Sequence, residues 1–444
     1  MKKKILKIVL LVMVIGGIYG GYKLHELNKV PQTRLTAGSY YPGMAPDAHH
    51  HYIQLPIDHN DPSLGSFTDF YYLSPNFKAG DPVIFWLFDN QQEAVGMLTR
   101  PEHFDYFEEN LEGLSYVLIG NRGVSPTLFP EVFNSDGSVN YARAMNLYGS
   151  NQQVEDIEAI RQDMQRQGLL PSDGKIMLYG GSGGGVLEQQ FLNKYGEHVT
   201  RVLIESSGGP DLARQHGETF ITRTYKSNPR VAEAYFSCLH DAGSKPDLAF
   251  MLFKVGLQGQ TQLQTSLMTS QTESATWNEI YAYLKTWLKP EYNYELISYL
   301  MNLPSEVEVK VRVYEVLGAD LDQYQPASAQ DLVLGYEWAA DLLADFIKAG
   351  RAGIIAPPDF NLDRSGYKGE VLIWAGNNDQ DFGAQMGRWL AEAYPNSKLA
   401  LFNDAHARTA YPEYYSGFRK VFFQTGLYSE ETQAYFQDAR QLSK

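Results

Sequence analysis

The sequence predicts an α/β protein in which helices cover both faces of one mainly parallel sheet of eight strands. Six of the predicted strands are continuous apolar runs, as expected of strands buried in a parallel sheet. They are residues 82–88, 116–120, 175–180, 201–206, 371–376 and 398–402. Amphipathic helical patterns separate several of these runs, and such alternation is typical of a parallel sheet that helices cover on both faces.

Local signals define the remaining strands and one helix with particular clarity. The short segments "YIQLP" and "FTDFYYL" are joined by the turn-rich stretch "DHNDPSLGS", which indicates a hairpin. The pattern "SNQQVEDIEAIRQDMQRQG" predicts an amphipathic helix. We expect Ser150 and Gln153 to form a capping box at its start and Gly168 to end it.

Composition divides the chain into five parts. Residues 1–22 indicate a signal anchor or signal peptide, and residues 23–50 a polar linker. The strand–helix alternation occupies residues 51–210 and 367–444, which we predict to be the two parts of the core. Residues 211–366 are rich in Tyr, Gln, Leu and Trp at helical spacing and contain no clear apolar strand. They indicate a mostly helical insertion between two core strands.

The amino terminus has the pattern of an export signal. Four lysines among the first seven residues precede the apolar run at residues 8–22. The run is shorter than the ~20 residues of a membrane helix, and no small-residue cleavage site follows closely. We predict an uncleaved anchor that holds the rest of the chain at the membrane, outside the cytoplasm. A cleaved signal peptide, with a periplasmic or secreted product, is the alternative.

Charge and composition exclude some classes of partner. The formal net charge is −15, with 52 acidic and 37 basic side chains, whereas a nucleic-acid partner needs a basic surface. The single cysteine, Cys238, cannot form an intramolecular disulfide and is expected to be a small buried side chain. We predict neither a metal nor an organic cofactor, and the sequence is silent on oligomeric state.

The segment "LYGGSGGG", residues 178–185, surrounds one serine with five glycines. A predicted strand leads into it and a helical pattern follows, and residues 180–184 fit G-x-S-x-G, the pattern of a nucleophile elbow. Small flanking residues permit the sharp turn that exposes such a serine. Neither G-x-G-x-x-G nor a GK[ST] phosphate loop can be drawn here. We predict Ser182 as nucleophile and the N–H of Gly183 as an oxyanion donor; a purely structural glycine turn is the alternative.

A serine hydroxyl needs an imidazole that takes its proton and a carboxylate that orients the imidazole. The expected chain order is serine, acid, histidine. Asp379 follows the strand at 371–376 in "NNDQDFG", with Asp381 as the second candidate. His406 follows the strand at 398–402 in "NDAHART", and no histidine other than His406 occurs after His240. We therefore predict Ser182, Asp379 and His406 as the catalytic residues.

With these residues, the chain resembles the α/β-hydrolase superfamily, and more narrowly the exported prolyl/tripeptidyl aminopeptidase branch of serine peptidases, which is prolyl iminopeptidase-like. "IQLPIDHNDPSLGSF" resembles the opening hairpin of that branch, "YVLIGNRGVSPT" its D-x-R-G-x-G-x-S strand end, and "KIMLYGGSGGG" its "YGGSYGG". The similarity covers residues 51–210 and 367–444. It implies the α/β-hydrolase fold, a helical cap at 211–366 that selects substrates, and cleavage of short peptides through an acyl-enzyme on Ser182.

The chain departs from that branch at three places. The "HGGPG" that supplies the second oxyanion donor is replaced by "FDNQQEA", which leaves the N–H of Asn90 or Gln91 as the candidate donor. Gly183 stands where the branch often has Tyr. Gly120 replaces the first residue of D-x-R-G, so Arg122 lacks its usual neighbour. "DNQQEA" is also similar to the "GNEG" of lysosomal-type prolyl carboxypeptidases, so that aminopeptidase and carboxypeptidase both stay open.

The implied aminopeptidase must bind a cationic α-amino group, and proline-directed cleavage is one of its open specificities. Glu337 and the adjacent Trp338, in "GYEWAADLL", are the candidate substrate-binding residues; an exposed helix face is the alternative. The sequence leaves two other functions open. One is an esterase or lipase that uses the same three catalytic residues on an ester substrate. The other is a catalytically silent hydrolase fold that serves as a binding protein.

Overall fold

The computed structural model describes residues 49–88, 104–120, 122, 129–243, 245–271 and 307–442. Within these ranges eight strands form one sheet. The strands are β1 (His50–Pro56), β2 (Ser66–Leu73), β3 (Val83–Leu87), β4 (Ser115–Ile119), β5 (Ile176–Gly181), β6 (Val199–Glu205), β7 (Glu370–Gly376) and β8 (Ser397–Phe402). Each overlaps one of the eight predicted strand patterns, with ends that differ by up to two residues, and β1 begins one residue before the predicted start of the core.

The sheet is antiparallel at one edge and parallel over the rest. Its order is β1-β2-β4-β3-β5-β6-β7-β8. The β1–β2 hairpin and the β2–β4 pair are antiparallel, whereas the neighbours from β4 to β8 are all parallel. The chain thus has the predicted α/β-hydrolase fold. Because parallel strands end at the same edge, the loops after β5, β6, β7 and β8 lie side by side there.

The helices of the described ranges are numbered here α1 to α15. They are α1 (Asp105–Leu111), α2 (Tyr141–Tyr148), α3 (Ser150–Arg166), α4 (Gly183–Tyr195), α5 (Pro210–Gln215), α6 (Thr224–Ser227), α7 (Pro229–Ala242), α8 (Pro246–Leu257), α9 (Thr261–Thr269), α10 (Val307–Leu321), α11 (Leu334–Leu342), α12 (Ala344–Arg351), α13 (Gly383–Ala393), α14 (Pro412–Thr425) and α15 (Glu430–Leu442). No helix in this part of the chain is long and apolar enough to cross a membrane. The predicted leader at residues 1–22 lies outside the described residues.

The sheet separates two apolar cores. Successive side chains of a strand point to opposite faces, so Phe85 of β3 joins one core and Trp86 the other. Ile160 of α3 lies in the first core, whereas Phe107 of α1 and Phe418 of α14 lie in the second. Helices therefore cover both faces, as predicted, and continuous apolar strands are the sequence pattern that such a sheet requires.

Between β6 and β7 the described residues form helices and short helical turns, without a strand. These helices continue the first apolar core, since Leu252 of α8 and Tyr336 of α11 belong to it. The end of α8 contacts the loop after β8, and Gln264 of α9 contacts the loop after β7. The backbone N–H of Ala407 donates to the carbonyl of Leu257 at 3.1 Å. The predicted cap boundaries at residues 211 and 366 stay a prediction.

A distant helix caps α3. Gly149 occupies the N-cap position and has no side chain that could accept a cap hydrogen bond. Instead the buried carboxylate of Glu315 on α10 accepts from the backbone N–H of Ser150 at 3.0 Å. A carboxylate there satisfies a free N–H and favours the positive end of the helix dipole. The predicted capping box of Ser150 with Gln153 is therefore wrong, whereas Gly168, with φ 71°, ends the helix as predicted.

Arg122 is fully buried, and its guanidinium is held from several sides. Nε and Nη2 donate to the two carboxylate oxygens of Asp156 on α3 at 2.6 and 2.8 Å. Nη1 donates to the backbone carbonyls of Ile57 and Leu147 at 2.8 and 2.7 Å. A two-bond pair of this kind has both charge and geometric specificity. Arg122 therefore ties the hairpin loop to α2 and α3.

Position 120 has no space for the aspartate with which the D-x-R-G pattern begins. A Cβ at this position would lie 2.5 Å from the ring of Phe70 and 2.6 Å from Oδ1 of Asp69. Asp69, on the neighbouring strand β2, is itself buried. Burial and the charge of Asp156 raise the pKa of Asp69 well above its usual range, against the opposing charge of Arg122. Asp156 of α3 thus pairs with Arg122 in place of a carboxylate at position 120, and the side chain of Asp69 lies close to that position.

Candidate active site

Ser182 lies in a sharp turn between β5 and α4. It has φ 52° and ψ −124°, and α4 begins at the next residue. A positive φ is uncommon outside glycine and is found where surrounding contacts impose it. Here the N–H of Ser182 donates to the carbonyl of Glu205 on β6 at 3.0 Å. This is the strand–turn–helix conformation that the sequence predicts for a nucleophile elbow.

Two glycines around the turn are required by close contacts. A Cβ at Gly180 would lie 2.5 Å from Oε2 of Glu188 and 2.7 Å from the carbonyl of Gly184. A Cβ at Gly185 would lie 2.6 Å from the hydroxyl of Ser207. Any side chain at these positions would push α4 away from β5 or β6. The glycines let the helix start directly against the sheet and present Ser182 at its edge.

Asp379 and His406 meet at the same edge of the sheet. Asp379 lies in the loop after β7 and His406 in the loop after β8. His406 Nδ1 is 3.2 Å from Oδ2 and 3.3 Å from Oδ1 of Asp379. Oδ1 also accepts from the backbone N–H groups of Asp381 and Phe382 at 2.8 and 3.3 Å. The structure thus joins two of the three predicted catalytic side chains and holds the carboxylate by its loop.

Two consecutive serines after β6 connect the loops of Ser182 and His406. The hydroxyl of Ser207 donates to the carbonyl of Ser182 at 2.6 Å, and that of Ser206 donates to the carbonyl of His406 at 3.1 Å. Ser206 has φ 44°. It also accepts from the guanidinium of Arg408 at 2.6 Å. The two loops are therefore linked through adjacent residues, which the sequence analysis did not single out, although "ESSGG" follows its strand as "GGSGG" does.

A buried cluster of charged side chains packs against the loop after β8, which contains His406. Arg408 Nε lies 3.3 Å from Oε1 of Glu205. Arg419 of α14 donates to the same carboxylate at 2.8 and 2.9 Å. Burial opposes ionisation of Glu205, but the two guanidinium groups hold its pKa below the usual range. Arg408 itself has φ 49°, so this cluster accompanies a third constrained residue, two positions after His406.

The pKa values of the Asp379–His406 pair favour the charged carboxylate. Burial alone would raise the pKa of Asp379, but the charge and hydrogen bond of His406 and the Asp381 N–H hold it below the usual range. Burial alone would lower the pKa of His406, but the charge and hydrogen bond of Asp379 raise it. A buried carboxylate that stays ionised can orient an imidazole and stabilise its protonated form.

The predicted oxyanion donors are only partly within the described residues. Gly183 is the first residue of α4, and the first N–H groups of a helix have no intrahelical acceptor. Its N–H is therefore available for a developing negative charge at the positive end of the helix dipole. Asn90 and Gln91 lie outside the described residues.

Glu337 and Trp338 lie on α11 in contacts of their own. Glu337 is buried, and its Oε1 accepts from the hydroxyl of Tyr324 at 2.7 Å. Burial raises its pKa. The ring of Trp338 packs edge-on against Phe250 and tilted against Phe253 of α8, at 5.6 and 6.1 Å between centroids. The expectation of an exposed helix face is wrong at Glu337. Tyr324, Phe250 and Phe253 all lie within the insertion.

No group of three or more His, Cys, Asp or Glu side chains that could hold a metal ion occurs in the described ranges. The side chains around the imidazole of His406 include the carboxylates of Asp379 and Asp381 and the ring of Phe382, and the charge of Arg408 also acts on it. An imidazole held beside carboxylates is suited to proton transfer.

Glu188 is a buried acid that the sequence analysis missed. It lies on α4 behind the serine turn and is fully buried. Neither carboxyl oxygen has a hydrogen-bond partner within the described part of the chain. Burial raises its pKa well above the usual range, so the fold favours the neutral acid. Glu188 lies on the face of α4 that packs against Gly180. Its burial can be predicted only when the orientation of α4 against the sheet is known.

Replacing Glu188 by methionine should stabilise the protein, increasingly so at higher pH. The folded pKa is raised, so the stability associated with this group is complete below the unfolded value of ~4.3 and is lost as pH rises from there. We expect the free energy of unfolding of Glu188→Met to exceed that of the wild type by about 1–3 kcal/mol at pH 8, and by less at pH 5. Urea unfolding at both pH values measures the difference. Glu188→Gln, which keeps an unpaired polar group, should gain less, and a gain independent of pH would contradict the account.

No protein-family model and no curated protein sequence matches the chain. Among solved structures, an alpha/beta hydrolase enzyme from a Medee basin deep-sea metagenome library is 14% identical, with a TM-score of 0.40 over 81% of this chain and 94% of that one. An alpha/beta fold family hydrolase from Bacillus anthracis str. Sterne is 14% identical, with a TM-score of 0.34 over 89% and 100%. A probable hydrolytic enzyme from Pseudomonas aeruginosa PAO1 is 16% identical, with a TM-score of 0.37 over 85% and 92%. Similarity this distant assigns neither activity nor substrate to this chain.

Proposed function

We propose that this protein is a serine hydrolase that cleaves a carbonyl substrate through an acyl-enzyme on Ser182. One observation carries the proposal. The buried carboxylate of Asp379 lies 3.2 Å from Nδ1 of His406, at the edge of the sheet where a turn with φ 52° presents Ser182. The links through Ser206 and Ser207 support it, because they hold the two loops side by side.

The proposed reaction follows from the roles that each group can take. With Nδ1–H donated to Asp379, Nε2 of His406 accepts the proton of the Ser182 hydroxyl as its oxygen attacks the carbonyl. The N–H of Gly183 stabilises the resulting oxyanion. His406 then returns the proton to the leaving group, and a water molecule repeats the sequence to release the acyl group. Asp379 stays ionised throughout and stabilises the imidazolium.

For the substrate we propose a short peptide, cleaved in the manner of an aminopeptidase. The support comes from the motif similarity at the hairpin, the "GNRG" strand end and the serine turn. Glu337 does not strengthen this support, because the hydroxyl of Tyr324 donates to one of the carboxylate oxygens proposed to bind the α-amino group. The leader pattern at residues 8–22 supports a protein attached to the membrane with this site outside the cytoplasm.

A fluorophosphonate probe tests the proposal on the full-length protein. We expect one covalent adduct, which mass spectrometry locates on Ser182 and which is lost in Ser182→Ala. Ser172→Ala removes an exposed serine in the turn before β5 and should label like the wild type. A folded protein that remains unlabelled would contradict the proposed activity and favour a hydrolase fold that serves in binding.

A substrate panel then decides the leaving group. It contains aminoacyl and prolyl naphthylamides with free and blocked amino groups, peptides with free carboxyl ends, and p-nitrophenyl esters. Hydrolysis of free-amine naphthylamides that fails when the amine is blocked supports an aminopeptidase. Turnover of the esters alone would overturn the peptidase part of the proposal while leaving the serine mechanism in place.

A further inference from the structure

A second carboxylate lies beside the imidazole of His406. Oδ2 of Asp381 is 3.9 Å from Nδ1 of His406, the same nitrogen that contacts Asp379. The side chain of Asp381 is 11% exposed. Its other oxygen, Oδ1, is buried and accepts no hydrogen bond from the described residues. His406 thus has two carboxylates on its Nδ1 side.

The backbone around Asp381 holds this side chain in place. Its N–H donates to Asp379 at 2.8 Å, and its carbonyl accepts from the N–H of Thr222 at 2.6 Å. Thr222 belongs to the insertion between β6 and β7. The preceding residue, Gln380, exchanges two amide hydrogen bonds with Gln264 of α9, at 2.8 and 3.1 Å. The loop after β7 is therefore held internally by the hydrogen bond to Asp379 and externally by Thr222 and Gln264 of the insertion.

We infer that Asp381 is a positioning residue that acts with Asp379 to stabilise the protonated form of His406 during catalysis. The inference rests on the proposed role of His406 as the general base. The positive charge that develops on the imidazole lies within 4 Å of two carboxylates, and an opposite charge at that distance favours the charged form. Asp379 holds the hydrogen bond and the tautomer, whereas Asp381 contributes charge.

The groups around His406 and Asp381 shift the pKa values of these two residues in opposing directions. Asp379 and Asp381 raise the pKa of His406, while burial and Arg408, from its own loop, lower it. Burial and the charge of Asp379 raise the pKa of Asp381 to about 7, against His406 and Lys254 of α8. Because the two groups lie 3.9 Å apart, the charge state of each affects the other, and their titrations are coupled.

The sign of the effect follows from the neutral base that catalysis needs. The carboxylate of Asp381 favours the imidazolium, so it moves the acidic limb of kcat/KM to higher pH, above the ordinary histidine value of ~6.5. Without that charge His406 loses its proton at lower pH. In Asp381→Asn we expect the limb to move down by less than about one pH unit, because Asp381 carries its charge only near and above pH 7. The two profiles should differ most in that range and converge at about pH 5.5, where Asp381 is itself protonated.

The experiment compares pH profiles of wild type, Asp381→Asn and Glu218→Gln. Glu218 is a carboxylate of the insertion that pairs with Lys226 at 2.8 Å, and its replacement should leave the limb where it is. The Nδ1–H proton resonance of His406, identified by its absence in His406→Gln, gives a second readout. It should titrate at lower pH in Asp381→Asn.

The two readouts separate this inference from the proposed function. Equal titration of His406 in wild type and Asp381→Asn would overturn the role of Asp381, whatever the activity. A shifted resonance in a protein that the fluorophosphonate does not label would retain the electrostatic link and contradict the hydrolase proposal. A changed rate with an unmoved limb would assign Asp381 a structural role only.

Discussion

Replacing Asp379 by asparagine should lower kcat by roughly 10⁴ while the protein stays folded. Oδ1 of Asp379 accepts two backbone N–H groups, from Asp381 and Phe382. The amide oxygen of an asparagine would keep those donors, so its NH₂ group would occupy the place of Oδ2 and face Nδ1 of His406. An imidazole that accepts at Nδ1 carries its proton on Nε2 and cannot take one from Ser182. The variant loses the tautomer as well as the charge.

The measurement is kcat on the best substrate of the panel, together with the rate of fluorophosphonate labelling. Asp359→Asn makes the same chemical change at a carboxylate that is 69% exposed in the segment before β7, and it should react like the wild type. Thermal unfolding verifies that both variants are folded. A loss below tenfold would mean that Asp379 is not the orienting acid, and Asp381, 3.9 Å from the same nitrogen, would then be the next residue to replace.

Replacing Arg122 by methionine should destabilise the fold by about 3–5 kcal/mol. The change leaves the buried carboxylate of Asp156 without its two-bond partner and removes the donor to the carbonyls of Ile57 and Leu147. His59, whose ring nitrogen lies 2.7 Å from Asp156, remains as its neighbour. An unpaired buried charge costs far more than the pair itself contributes, because neither water nor protein solvates it.

Urea unfolding at pH 7 measures this loss. Arg166→Met is the matched control, because Arg166 pairs with Asp163 of the same helix, α3, but is 64% exposed. Exposed pairs contribute little, so we expect no resolvable change there. The double variant Arg122→Met, Asp156→Leu should recover part of the stability. A cost below about 1 kcal/mol for Arg122→Met would contradict the importance assigned to this pair.

Local patterns carried the prediction of strands and of the places where chemistry is expected. Each apolar run became a strand because a strand buried on both faces needs apolar side chains at every position. Ser182, Asp379 and His406 each follow such a strand, and parallel strands end at one edge. The sequence could therefore place Asp379 and His406 together, and the structure has them 3.2 Å apart.

Local sequence patterns could not predict the contacts between segments that are distant along the chain. The capping box at Ser150 was wrong because Glu315, far along the chain, supplies the carboxylate. Gly120 likewise lacks the carboxylate that would pair with Arg122, and Asp156 of α3 supplies it instead. In both cases a carboxylate from another element satisfies a group that its own segment leaves free, and no local periodicity contains that information.

By itself the sequence determined the fold class, the succession of strands and helices, and the turn that presents Ser182. These depend on side-chain periodicity and on the conformational freedom of glycine, which are local properties. Only the tertiary structure decided the order of strands in the sheet and the burial of Glu188. It alone placed the second carboxylate, Asp381, beside His406. The reason is physical, because burial and the charge around a titrating group depend on what packs against it, and those neighbours come from separate parts of the chain.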